Sequence, residues 1–161
     1  LIRERVFPVC SPSILPGGRP LAHPAELVNL PLIQKARTPS GEWSWSYWLE
    51  KLGLRRPEQR GLILGDVGLC LASAVEGAGV AIGRSLLVAD AIGDGRLAPA
   101  LSATPFAVSS KIHLARWTPD AARDAKIRVF VDWLAEAAED TNRWMRGILP
   151  PGSSEPVYDA V

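Results

Sequence analysis

His23 and His113 are the only histidines, and Cys10 and Cys70 the only cysteines, that this chain offers toward zinc or nucleophilic chemistry. His23 and His113 lie far apart, and neither stands in a motif with a nucleophile. Cys10 and Cys70 each sit singly in an apolar segment. A zinc site needs several such ligands at close spacing, and no Cys/His cluster supplies them. No Gly-x-Ser-x-Gly elbow is present. Asp66 and Asp94 are the carboxylates worth weighing, but capping explains the first and a turn the second. Gly77-Ala78-Gly79 invites a dinucleotide reading, yet a phosphate-cradling loop follows a strand and opens a helix. These glycines close a helix and open a strand. The residues point to binding rather than catalysis, with no metal and no cofactor.

The stretch that must position any site is Gly61–Arg84, GLILGDVGLCLASAVEGAGVAIGR. Gly61–Gly65 reads as a short buried strand bounded by glycines. Asp66 is the expected N-cap, since its carboxylate can accept from the first-turn N–H groups. Val67–Val75 is almost wholly apolar or small, which predicts a helix buried on more than one side. Gly77 and Gly79 end it, and Val80-Ala81-Ile82 forms a second buried strand. A β-α-β unit of this kind implies a right-handed crossover and a parallel sheet.

Around it, Glu4–Cys10 predicts a strand that turns at Ser11-Pro12. Pro16-Gly17-Gly18 is a loop, His23–Leu27 a short helix with Pro24 in its first turn, and Leu30–Gln34 a strand. Glu42–Leu52 predicts a helix stopped by Gly53. Its tryptophans share a helical face, so packing is the better account of Trp45 and Trp48 than a stacking platform. Trp43 could face solvent or a ligand cleft. Arg55–Arg60 reads as a solvated charged loop, Arg84–Asp94 as a helix and Ser109–Trp117 as a strand. Asp120–Glu139 is amphipathic, with Ile127, Phe130, Val131 and Leu134 on one stripe. After Arg146 the sequence ILPPGSSEPVYDAV is expected to be mobile.

Composition sets the bounds. The 161 residues suffice for one domain with a core, and the formal net charge of +1 leaves no electrostatic footprint for nucleic acid. Buried, reduced thiols fit a cytoplasmic protein better than a Cys10–Cys70 disulfide. No apolar run approaches the ~20 residues of a membrane span. The first residues lack a signal-peptide core, and Leu1 in place of an initiator Met is what a fragment would show.

Asp66, the helix after it, then Ala74, Gly77, Gly79, Val80, Ala81, Gly83 and Arg84 resemble the core signature of the effector-binding domain of LysR-type transcriptional regulators. The similarity is nearest to the glycine-cleavage-activator-like branch. Pro8-Val9-Cys10-Ser11-Pro12, then Leu21, Pro24, Leu27, Pro31, Leu32 and Ile33, follow the start of that domain's second half. Trp45, Trp48, Leu49 and Gly53 reproduce its W-x-x-W-L-x-x-x-G pattern. Gly95, Leu97 and Pro99, spaced G-x-L-x-P, resemble its glycine-leucine-proline element, and Phe130 with Trp133-Leu134 its terminal F-x-x-W-L helix. The chain departs near Ile112 and His113, where the family often has aromatic residues.

The resemblance implies an α/β fold, a periplasmic-binding-protein type 2-like lobe with a mostly parallel mixed sheet flanked by helices. Residues 1–140 would be a partial effector-binding domain, the second lobe plus the C-terminal return helix, and 141–161 a flexible tail. No stretch reads as a helix-turn-helix, so DNA would be reached only through one outside this chain. Ligands of open α/β sheets sit beyond the strands' carboxyl ends, which nominates Ser11, Pro12, Gly65, Asp66 and Val67 for a small-molecule effector. The N–H groups opening the Val67 helix could receive an anionic metabolite; Asp66 could instead accept from an amine or hydroxyl. With the first lobe missing, the Ile127, Phe130 and Leu134 stripe loses its partner, and self-association into a homo-oligomer is expected. A regulator fragment, a degenerate standalone frame and a module that pairs with a complete relative all stay open.

Overall fold

β1 (Ile2–Cys10) is the strand around which the sheet is assembled. Along one edge it pairs antiparallel with β4 (Val80–Arg84), from Val6 opposite Arg84 to Val9 opposite Ala81. Along the other it pairs antiparallel with β5 (Ala98–Pro99) and with β6 (Ala107–His113). β2 (Leu32–Lys35) lies between β4 and the edge strand β3 (Ile63–Leu64), parallel to both. The order is β3-β2-β4-β1-β5, with β6 also on β1. Five strands therefore point one way and β1 points the other. This is the expected mixed sheet flanked by helices, with every antiparallel pairing made by β1. The computed structural model describes residues 2–38, 41–55, 61–103 and 106–148.

The helices form where local chemistry starts and stops them. α1 (Trp45–Lys51) is capped by Ser44, whose hydroxyl accepts from the Tyr47 N–H, and Gly53 ends it with φ of 67°. Glu42 and Trp43 thus lie in a turn before the helix and not within it. α2 (Val67–Val75) starts at Asp66, as the sequence predicts, and α3 is Ser85–Gly93. A 3-10 turn at Pro24–Asn29 replaces the short helix expected there; the Glu26 carboxylate accepts from the His23 N–H at 2.8 Å.

The core joins Phe7, Val9, Leu27, Ile33, Trp48 and Val80 with smaller residues between them. Trp45 and Trp48 are buried, in keeping with a packing role, and both indoles donate to backbone: Trp45 Nε1 to the Ile33 carbonyl at 2.9 Å, Trp48 Nε1 to that of Glu42 at 2.8 Å.

Two burial expectations are corrected. β3 is not a buried strand: it spans two residues at the sheet edge, and Ile63 is 60% exposed. α2 buries one face, through Cys70, Leu71 and Ala74, while Leu69 is exposed. Among the described residues no strand pairs outside β3; Ile63 faces outward while Leu64 packs against the core.

The final helix also differs. A 3-10 turn at Ala121–Arg123 precedes α4 (Ala125–Ile148), which Asp124 caps by accepting from the Lys126 N–H at 2.8 Å. Residues 141–148 are therefore helix and not part of a tail starting at 141; the rest of that tail lies outside the described residues, as do 56–60 of the expected charged loop. Among the described residues no helix is long and apolar enough to cross a membrane.

Candidate functional site

The carboxyl ends of β2 and β4 and the start of α2 converge on a small pocket. Lys35 ends β2, Arg84 ends β4, and Val67 opens α2. Ile33, Ile82 and Cys70 supply apolar wall, and Trp43 closes one side from the turn before α1. The pocket encloses about 40 Å³, room for about three waters.

Its polar groups are held in place before any ligand arrives. Gln34 Nε2 donates to Thr38 Oγ1 at 2.8 Å and to the Lys35 carbonyl at 2.9 Å, while its Oε1 accepts from the Trp45 N–H at 3.1 Å. The Lys35 ammonium makes one long contact, to the Ala36 carbonyl at 3.3 Å, and among the described residues no carboxylate pairs with it. Arg84 lies over the Trp43 ring, 4.7 Å from its centroid, in a cation–π contact. Arg84 Nε donates to Glu4 Oε2 at 2.9 Å and Nη2 pairs with the same oxygen.

Glu4 is fully buried on β1, and its Oε1 has no hydrogen-bond partner among the described residues. His113 Nε2, at the end of β6, lies 3.2 Å from Glu4 Oε2. Both thiols are free and buried. Burial pushes Cys10 up to about 12. Burial also raises Cys70, as does the charge of Asp66, while Lys35 pulls it the other way.

The five residues nominated for effector contact do not come together. Gly65, Asp66 and Val67 lie at the amino end of α2, with Val67 on the pocket. Ser11 and Pro12 lie at the other end of that helix, about 13 Å away along its nine residues. The Ser11 N–H donates to the Ala74 carbonyl at 3.1 Å, and the Ser11 hydroxyl caps the turn Pro12–Ile14. The cause is strand direction. β1 runs against β2, β3 and β4, so its carboxyl end meets their amino ends.

The anion seat expected at the start of α2 is also taken. Asp66 Oδ1 accepts from Gly68 N–H at 2.6 Å and from Leu69 N–H at 3.2 Å. Lys35, Thr38 and Arg84 carry the polar chemistry instead, and sequence reasoning did not nominate them. Their signal was position, each lying at or just past a strand's carboxyl end. Trp43, weighed between solvent and cleft, lines the pocket.

On the last helix, Ile127 and Leu134 are half-buried and Phe130 is exposed. Its exposed apolar face is Val129, Phe130 and Trp133, at 70%, 57% and 57%. The C-terminal half of α4 rests on α3, with Ala138 buried.

The sequence model described as the LysR substrate binding domain matches residues 1–139. The chain belongs to the LysR substrate-binding domain family. Among relatives, the glycine cleavage system transcriptional activator of Escherichia coli K12 is 30% identical over 149 residues, which cover 89% of this chain and 46% of that protein. The chain thus spans a little under half the length of the curated relatives it matches. Two solved structures share the fold. The effector domain of the transcriptional regulator AmpR of Pseudomonas aeruginosa superposes with a TM-score of 0.58 at 20% identity, covering 89% of this chain and 66% of that one. The regulatory domain of CrgA from Neisseria meningitidis gives 0.55 at 22%, covering 86% and 66%. The pocket is therefore a feature of a LysR-type effector-binding fold, represented here by about two thirds of such a domain.

Proposed function

We propose that this chain is the effector-sensing part of a cytoplasmic regulator of transcription, and that a small molecule binds at the carboxyl ends of β2 and β4. The carrying observation is the pocket itself, where a lysine without a carboxylate partner among the described residues faces apolar wall and an arginine fixed on Trp43. Val67 and Cys70 form its α2 side, with Gly65 and Asp66 just before Val67 in the chain. Ser11 and Pro12 serve instead to anchor the far end of that helix. DNA contact belongs to a helix-turn-helix outside these residues. Binding would influence it only through a preference for one domain arrangement over another.

The effector is anionic in this reading. Lys35 has donors to spare, and among the described residues Arg84 Nη1 has no partner. Of the two carboxylates nearby, Glu4 is engaged by Arg84 and Asp66 by the α2 amides. The test is a thermal-shift screen of small metabolites sorted by charge. Stabilising compounds should be chiefly anions and should lose their effect in Lys35→Gln. Hits that are neutral or cationic, or that act equally on the variant, would refute this.

The exposed face of α4 is proposed to be a self-association surface, with Phe130 at its centre and Ile127 and Leu134 along its flank. Exposed aromatic residues in one patch mark an interface more often than a free surface.

A further inference from the structure

Trp43 is the aromatic wall of the pocket and, like Thr38, is carried by neither a strand nor a helix. Something other than regular backbone bonding has to hold it. On its C-terminal side the turn is tied locally: Ser44 N–H and hydroxyl both donate to the Gly41 carbonyl, at 2.9 and 3.0 Å. On its N-terminal side the Glu42 backbone carbonyl accepts from Trp48 Nε1 at 2.8 Å, and the Glu42 side chain adds a long-range tie. Glu42 Oε1 accepts from both the N–H of Ser110, at 2.8 Å, and its hydroxyl, at 2.7 Å. Ser110 lies on β6, where that strand loses register with β1 between Arg3 and Arg5. No other hydrogen bond among the described residues joins the turn to β6.

We propose that Glu42 is the positioning residue of the effector pocket: it pins the turn at residues 41–44 to β6 and so holds Trp43 against Arg84. The assignment rests on the reading that this pocket takes the effector. Glu42 touches no ligand in it; it sets where the aromatic wall stands. The contacts run from Ser110 through Glu42, Trp43 and Arg84 to Glu4 on β1, which returns to β6 at His113. Both ends thus land on β6, three residues apart, so a ligand that displaces Trp43 or Arg84 pulls on that strand. A charge-assisted bond to a carboxylate is stronger than one to a neutral amide, which makes Glu42→Gln a test of the charge at nearly constant shape.

The experiment uses the full chain, with Glu42→Gln, Ser110→Ala, the double variant and Glu50→Gln as an exposed control on α1. Two signals report on the wall: the Trp43 indole resonance in a proton–nitrogen spectrum, and the rate at which iodoacetamide labels Cys70, read by mass spectrometry. Glu42→Gln should shift the indole signal and raise Cys70 labelling several-fold. Ser110→Ala should do less, and the double variant no more than Glu42→Gln. In the parent chain the indole signal should follow one titration below the ordinary carboxylate range, absent in Glu42→Gln. An unmoved indole signal and an unchanged Cys70 rate in Glu42→Gln would overturn the proposal, as would an equal effect of Glu50→Gln. Sodium propionate with neutral propionamide as its control tests the underlying reading. If propionate leaves Lys35 and Val67 unperturbed in the parent chain, the anion site fails, while the role of Glu42 is still decided by Trp43 and Cys70.

Discussion

Arg84 and Glu4, 80 residues apart, form an ion pair in which the carboxylate is fully buried and the guanidinium keeps a quarter of its side chain in contact with solvent. This asymmetry predicts unequal costs. Arg84→Met strands a buried charge beside the partly exposed His113 and should cost about 2–4 kcal/mol. Glu4→Gln leaves a cation that water can still reach and should cost less. Urea denaturation of both variants decides; an equal or reversed order would mean that Arg84 does not compensate Glu4.

Glu42 makes stability depend on acid. Burial pushes its carboxyl up, but hydrogen bonds from the Ser110 N–H and hydroxyl, its own backbone N–H and the Trp43 side chain together outweigh this and hold it below the usual range. A depressed folded-state pKa means that the stabilisation is complete above the unfolded value near 4.5 and is lost as pH falls through the folded one. Glu42→Gln should therefore be less stable than the parent at neutral pH, with the gap closing in that acid window. Chemical denaturation from pH 7 down to 3 measures it, and a constant gap would contradict the assignment.

Lys35→Gln separates binding from folding. The ammonium is partly exposed and makes only one long contact to a carbonyl, so stability should change by no more than about 0.5 kcal/mol. Binding of a small carboxylate should weaken at least five-fold, about 1 kcal/mol. Titration followed by NMR supplies both affinities.

Two glycines should resist substitution to different degrees. Gly79 has φ of 151°, and a Cβ there would lie 2.4 Å from the Pro31 carbonyl oxygen. Backbone cannot yield easily, so Gly79→Ala should cost on the order of 3 kcal/mol. At Gly83 the Cβ would meet Val9 and Val88 methyls at 2.9–3.0 Å. Side chains can shift, and the cost should be about 1–2 kcal/mol. Thermal unfolding of the two variants would expose a reversed order.

Phe130→Asp and Trp133→Asp should lower self-association without unfolding the chain, because both rings are more than half exposed and stack mainly on one another, with centroids 5.7 Å apart. Sedimentation across a concentration series is the measurement. A parent chain that stays monomeric throughout would remove this surface from consideration.

The start of α2 was legible because it is local. Asp66 is a capping residue next to an apolar run and caps in the structure, whereas the α1 start was placed at Glu42 and lies at Trp45, with Ser44 as its cap. Gly53 and Gly77 stop their helices at positive φ, a local effect as well. The start of α4 was misplaced because Thr118-Pro119-Asp120 looks like a helix start, whereas the chain makes a 3-10 turn first and Asp124 supplies the cap. The site was half legible. Val67 was placed on it, but Ser11 and Pro12 were not separated from it, because strand direction is no property of a strand's own residues.

By itself the sequence determined the main strands and helices, their order and the family. Periodicity, capping residues and glycines act over a few positions and need no distant partner. Only the tertiary structure decided what meets at the pocket. Lys35, Trp43 and Arg84 are brought there by the pairing of β2 with β4, and Glu42 reaches Ser110 across 68 residues. Those contacts depend on which strands lie side by side and which way β1 runs. Chain packing settles that through burial of Phe7, Ile33 and Val80 in one core, a choice that no single stretch of residues encodes.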